Sequence, residues 1–122
     1  MENRILTENM NLKLERFQKR SMDAAFLLKA TSHEHRLMIL CILLNGEQTV
    51  GELETFLGLQ QAIVSQQLAR LRMDNLVESR RSGRKIYYSI ADGKAREMIL
   101  FLYRLYCSDD EYDNSECSHV AD

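Results

Sequence analysis

A stripe of mostly apolar positions opens the chain: Leu6, Met10, Leu14, Phe17, Ser21, Ala25 and Leu28 step by fours and threes. That spacing predicts one face of a helix, either continuous or broken near Arg20-Ser21. Thr31 and Glu34 then have the Thr-x-x-Glu spacing of a capping box, followed by Leu37, Leu40, Cys41 and Leu44 at i, i+3, i+4 and i+7. A second helix is predicted there, stopped by Asn45-Gly46. A second Thr-x-x-Glu, Thr49 and Glu52, starts a short helix carrying Val50, Leu53 and Leu57, which Gly58 closes. From Gln60 to about Asn75 a further helix turns Val64, Leu68 and Leu71 inward and shows Ala62, Ser65, Gln66, Ala69 and Arg70 on its other face.

The period then changes. Leu76 to Arg81 and Lys85 to Ile90 read as strands about a Ser82-Gly83 turn. From Asp92 to Cys107 the chain is helical again, with Ala95, Ile99, Leu102 and Tyr106 on one side and Leu100, Tyr103 and Cys107 on another. A terminal helix apolar on two sides needs two surfaces to bury against, and a second copy of the chain supplies one of them. The expected fold is mainly α with a small β-hairpin, a winged helix-turn-helix that dimerises through its terminal helices. Residues 1–20 are expected to form an N-terminal helix contributing to the dimer, residues 21–107 the winged helix-turn-helix with its dimerisation helix, and residues 108–122 an acidic, flexible tail.

Composition narrows this picture. The chain has 122 residues, 45% of them hydrophobic and 28% charged, which suits one soluble domain. No apolar run approaches the roughly 20 residues needed to cross a bilayer, and the start has no signal-peptide core, so no membrane role and a cytoplasmic location are expected. The net charge of −2 conceals a segregated layout. Residues 60–90 hold six bases, Arg70, Arg72, Arg80, Arg81, Arg84 and Lys85, against Asp74 and Glu78, a net of +4. The six acids after Cys107 meet no Lys or Arg. A basic segment inside a near-neutral chain suits a phosphate backbone.

The helix-turn-helix and basic hairpin together point to double-stranded DNA. One helix fits the major groove, where small residues allow close approach and amides and arginines reach base edges. Gln61, Ala62, Ser65, Gln66, Gln67 and Arg70 are the candidates for that helix, and Arg80, Arg81, Arg84 and Lys85 the phosphate-facing set on the wing. The absence of Cys-x-x-Cys, of a phosphate loop and of a paired catalytic histidine speaks against an enzyme. A winged helix that binds only protein stays open as an alternative. His33 and His35, in the first turn of their helix, read as surface or capping residues.

The run HRLMILCILLNGEQTVGELETFLGLQQAIVSQQLARLRMDNLVESRRSGRKIYYSI closely resembles the ArsR family of winged-helix repressors. The matching motifs are Arg36 to Leu40, Glu52-Leu53, Val64 to Leu68, Gly83-Arg84 and Tyr87-Tyr88, within a resemblance covering roughly residues 22–107. Two positions depart from the pattern. Gln60 stands where a serine often caps the recognition helix, and Asn75 replaces a common glycine, although asparagine tolerates a left-handed corner. The resemblance implies a homodimeric repressor on operator DNA, with no cofactor.

The inducer has to be argued separately. Metal sensors of this family carry cysteines on the turn helix or an Asp/His and His/Glu set on the terminal helix. Here Gly51 to Thr55 hold no Cys or His and Asp92 to Cys107 hold no His, so no metal site is expected. Cys41 and Cys107 remain, on two helices that pack near one another in the family fold. The pair resembles the dithiol of the persulfide-sensing subgroup, the SqrR/BigR type. That resemblance implies that persulfide or polysulfide bridges Cys41 and Cys107 and weakens DNA binding. A plain disulfide needs Cα atoms about 4.4–6.8 Å apart, so a wider pair would favour a bridge with extra sulfur. General oxidant sensing, metal or metalloid sensing through Cys107, Cys117 and His119, and inert cysteines in a constitutive regulator stay open beside it.

Overall fold

The computed structural model describes residues 2–107, with side chains from residue 14 onward. The chain divides into two compact units, the first ending at Thr31 and the second beginning at Ser32. The first is a single helix, α1 (Glu2–Thr31), unbroken at Arg20-Ser21. Its 30 residues span about 45 Å. Leu14, Phe17 and Leu28 of the expected stripe are exposed, whereas the side chains of Leu6 and Met10 lie outside the described residues.

The second unit contains α2 (Glu34–Leu43), β1 (Gln48–Thr49), α3 (Val50–Leu57), α4 (Gln61–Met73), β2 (Val77–Ser82), β3 (Lys85–Ile90) and α5 (Gly93–Cys107). The start of α2 differs from expectation. Thr31 does not cap it; its hydroxyl donates back to the carbonyls of Leu27, 3.0 Å away, and Leu28, 3.1 Å away. His33 caps instead, its Nδ1 accepting the His35 N–H at 3.1 Å. A threonine at a helix end has two outlets for its hydroxyl, and here the preceding turn captured it.

The buried face of α2 also differs. Ile39, Leu40, Ile42 and Leu43 are buried, while Leu37, Cys41 and Leu44 are half-buried. Residues 37 to 44 are apolar all round, so periodicity could not select a face; packing did.

Elsewhere local signals hold. Thr49 and Glu52 form a reciprocal capping box at the start of α3, and Gly58 ends that helix in the left-handed region at φ 66°. The corner after α4 is a Schellman motif: Leu76 N–H donates to Leu71 O at 2.9 Å and Asn75 N–H to Arg72 O at 3.0 Å. Asn75 sits at φ 63°, as the motif requires, and both Leu71 and Leu76 are buried. Asp92 caps α5, its Oδ1 accepting from Lys94 N–H at 2.7 Å and Ala95 N–H at 3.3 Å.

The strands form an antiparallel sheet in the order β1-β3-β2. The hairpin pairs Ser82 with Lys85, so its two-residue turn is Gly83-Arg84, one position later than expected, with Gly83 at φ 65°. The two residues of β1, too short to leave a strand signal in the sequence, pair Gln48 with Tyr88 and Thr49 with Tyr87. The core gathers Leu40 and Leu43 of α2, Leu53 of α3, Val64, Leu68 and Leu71 of α4, and Ala95 and Ile99 of α5. Phe101, Tyr103, Leu105 and Tyr106 of α5 stay exposed.

Candidate nucleic-acid interface and thiol pair

Val64, Leu68 and Leu71 pin α4 to the core, which turns its opposite side outward. Gln61, Ala62, Gln66 and Arg70 are exposed there, and Ser65 and Gln67 are half-buried at its margins. Gln60 makes no side-chain cap, so no side chain takes up the first N–H groups of α4 there. Arg70 is not wholly unengaged: its Nε lies 3.5 Å from Asp74 Oδ2, one turn on.

The wing carries the other four candidates. Arg81 pairs with Ile86 and Ser82 with Lys85 across the hairpin, which gathers Arg81, Arg84 and Lys85 at its tip, all exposed. None of these three has an ion-pair partner among the described residues. Arg80 is different. Its Nε and Nη2 donate to the two carboxylate oxygens of Glu47 at 2.7 and 2.8 Å, and its guanidinium lies 4.9 Å from the centre of the Tyr87 ring. The bond to Arg80 holds the Glu47 carboxyl below its usual range and raises Arg80 in return. Glu47 lies 33 residues before Arg80 and outside any motif, so no signal in the sequence links them.

Between the start of α3 and the wing lies an open groove of about 860 Å³, lined by Thr49, Val50, Phe56, Arg84, Lys85 and Ile86 among others.

The thiols lie in the same unit. Cys41 on α2 and Cys107 at the end of α5 are both half-buried, and no disulfide joins them. Burial pushes the Cys41 thiol above its ordinary value of 9.0, and the charge of Cys107 pushes it further. The two cysteines are therefore within electrostatic reach of one another. Cys117 and His119 lie outside the described residues. Among the described residues no three His, Cys, Asp or Glu side chains gather as a metal site would need. The rings of His33 and His35 instead lie 5.1 Å apart, tilted by 56°, beside the cap they form. No described helix is long and apolar enough to cross a membrane.

Comparison with known proteins follows the same lines. Residues 33–79 match the family described as bacterial regulatory protein, arsR family. The transcriptional activator HlyU of Vibrio cholerae is 44% identical over 96 residues, covering 79% of this chain and 89% of that protein. The biofilm growth-associated repressor of Xylella fastidiosa is 41% identical over 97 residues, covering 80% of this chain and 85% of that protein. Among solved structures, reduced HlyU from Vibrio cholerae superposes with a TM-score of 0.72 at 44% identity, over 76% of this chain and 98% of that one. The transcriptional repressor BigR from Xylella fastidiosa gives 0.73 at 43% identity, over 76% and 95%.

Proposed function

This chain belongs to the arsR family of bacterial transcriptional regulators, and from that membership we propose that it is a homodimeric repressor whose Cys41/Cys107 pair senses persulfide. The observation that carries the proposal is the placement of two thiols, distant in sequence, within electrostatic reach on the packed helices α2 and α5. A relative at 44% identity has a solved form described as reduced, and another relative at 43% is described as a repressor.

DNA is held by α4 and the wing. Gln61, Ala62, Ser65, Gln66, Gln67 and Arg70 face the major groove, where amides and arginine discriminate bases. Arg81, Arg84 and Lys85 neutralise phosphates at the wing tip, with Arg80 beside them. The second copy of the chain covers the apolar residues left open on α5: Phe101 is 61% exposed and Leu105 60%, one helical turn apart. Side chains of that size are costly to leave in water, and a dimer would set the two recognition helices about 34–36 Å apart, one turn of DNA.

The thiol chemistry starts from two half-buried cysteines. Burial holds the proton on Cys41, which attacks only once that proton leaves, because the thiolate is the attacking form. The Cys107 thiolate attacks the inner sulfur of a persulfide, expelling hydrosulfide and leaving a mixed disulfide. Cys41 takes the outer sulfur of a second persulfide and becomes a persulfide itself, releasing a thiol. Attack of that persulfide on the mixed disulfide closes a trisulfide bridge and releases a second thiol. Two persulfides are thus reduced to two thiols and one hydrogen sulfide while the protein dithiol is oxidised. The bridge ties α2 to α5 and shifts the recognition helices; weakening DNA binding a hundredfold takes about 2.7 kcal/mol of coupling.

The test is a peptide mass map of the reduced protein after glutathione persulfide and, separately, after peroxide. A Cys41–Cys107 link carrying extra sulfur, formed only with persulfide, is the expected result. An equal plain disulfide from both would make it a general redox sensor, and no link at all would return both thiols to the core.

A further inference from the structure

The sheet order places β1, which Glu47 directly precedes, and β2, which holds Arg80, on opposite sides of β3. Thr49 of β1 and Arg80 of β2 both pair with Tyr87 on the central strand β3. Glu47 lies immediately before β1, in the loop that leads from α2 into it. From there its carboxylate meets the Arg80 guanidinium in a two-pronged contact, with the Tyr87 ring beneath the arginine. The clamp thus joins the loop that enters β1 to β2 across the middle strand. Glu47 also lies two residues before Thr49, the α3 N-cap.

An exposed ion pair contributes little to stability, even with good geometry. The side chains here are 56% and 36% exposed, so the clamp needs another reason to matter. That reason is what it does to the wing's cations. Four bases sit on the hairpin, and the clamp occupies one while the other three have no ion-pair partner among the described residues. Every free cation near a phosphate adds affinity for any DNA sequence, because counterion release is blind to bases. Withholding one lowers the affinity for every duplex alike and leaves base contacts untouched.

We infer that Glu47 sets the strength and salt dependence of DNA binding: it takes Arg80 out of the phosphate-binding set and uses it to fix the wing beside the start of α3. The inference rests on the DNA-binding reading above. Arg80 then serves as a positioning residue, acting through the hairpin, while Arg81, Arg84 and Lys85 make the phosphate contacts.

The experiment measures the salt dependence of binding by the full chain to two duplexes, one of random sequence and one selected from a random pool by the wild-type protein. In Glu47→Gln, which keeps the shape but not the charge, Arg80 is released to phosphate. The expected result is a salt slope steeper by about 0.9 per released arginine and tighter random-sequence binding, roughly three- to tenfold at low salt. The selected duplex gains by the same factor, so the ratio of selected to random affinity stays at its wild-type value. In the double variant Glu47→Gln with Arg80→Gln, the slope returns to its wild-type value. A steeper slope that persists in the double variant would assign the effect to lost repulsion by Glu47 alone and overturn the inference. Equal weakening on both duplexes with an unchanged slope would reduce the clamp to a structural prop and overturn it as well. Arg84→Ala with Lys85→Ala serves as the reference: if that variant keeps the wild-type slope, the DNA reading of the wing fails, independently of Glu47.

Discussion

The charge of Cys107 reaches Cys41 from the end of α5 and, after burial, is the second influence raising the Cys41 thiol above its ordinary value of 9.0. Two consequences follow. Alkylation of Cys41 is expected to be slow at neutral pH and to accelerate on the alkaline side of 9.0. In Cys107→Ser the repulsion is gone, so the onset moves to lower pH, though burial keeps it above the ordinary value. Peptide-resolved rates of iodoacetamide labelling across pH would check both. The linkage to stability has the corresponding sign. The folded state holds the Cys41 proton more tightly than the unfolded chain, so this contribution is complete below about 9.0 and is lost as pH rises through the folded value.

DNA contacts are expected to separate by type. Arg84→Ala with Lys85→Ala should weaken binding to all duplexes and flatten the salt slope by about 0.9 for each contact removed. Gln66→Ala, on the outer face of α4, should leave the slope alone and cost about 1–3 kcal/mol on the selected duplex only. Fluorescence anisotropy at several salt concentrations measures both quantities.

Assembly is expected to depend on the apolar side of α5. Phe101→Glu puts a charge at a position 61% exposed in the single chain and covered in the proposed dimer. Sedimentation velocity should show the wild type as a dimer and the variant as a folded monomer. A variant that sediments as the wild type would move the interface elsewhere.

The corner after α4 offers a stability test. Asn75 at φ 63° should accept Gly with little change, whereas Asn75→Val should cost about 1–2 kcal/mol, because a β-branched residue resists the left-handed region. Thermal unfolding at fixed protein concentration reads the difference.

What was legible in the sequence was local. The Thr49–Glu52 box, the stop at Gly58, the corner at Asn75 and the bounds of β3 were all readable, since each depends on residues within a few positions of one another. The cap of α2 was not, because Thr31 could satisfy its hydroxyl on the preceding turn and His33 was there to replace it. The buried face of α2 was hidden by a run with no polar side. β1 and the Glu47–Arg80 clamp were invisible for another reason: both exist only after the hairpin has brought distant residues together. The thiols belong to the same class. Their proximity came from a family resemblance and was not inscribed in any spacing.

The order β1-β3-β2 leaves β2 as an outer strand along its full length. An outer strand with unpaired backbone groups invites another chain to add to it, and a regulator held at working concentration in a cell cannot tolerate that. Glu78, Arg80 and Arg81 stand along this one. Mixed charge at such a border makes stacking with a second border costly, since desolvated like charges would meet in most registers. In the proposed function the wing's basic residues would protect the protein from its own kind as well as draw it to DNA, and variants that neutralise them are expected to precipitate sooner.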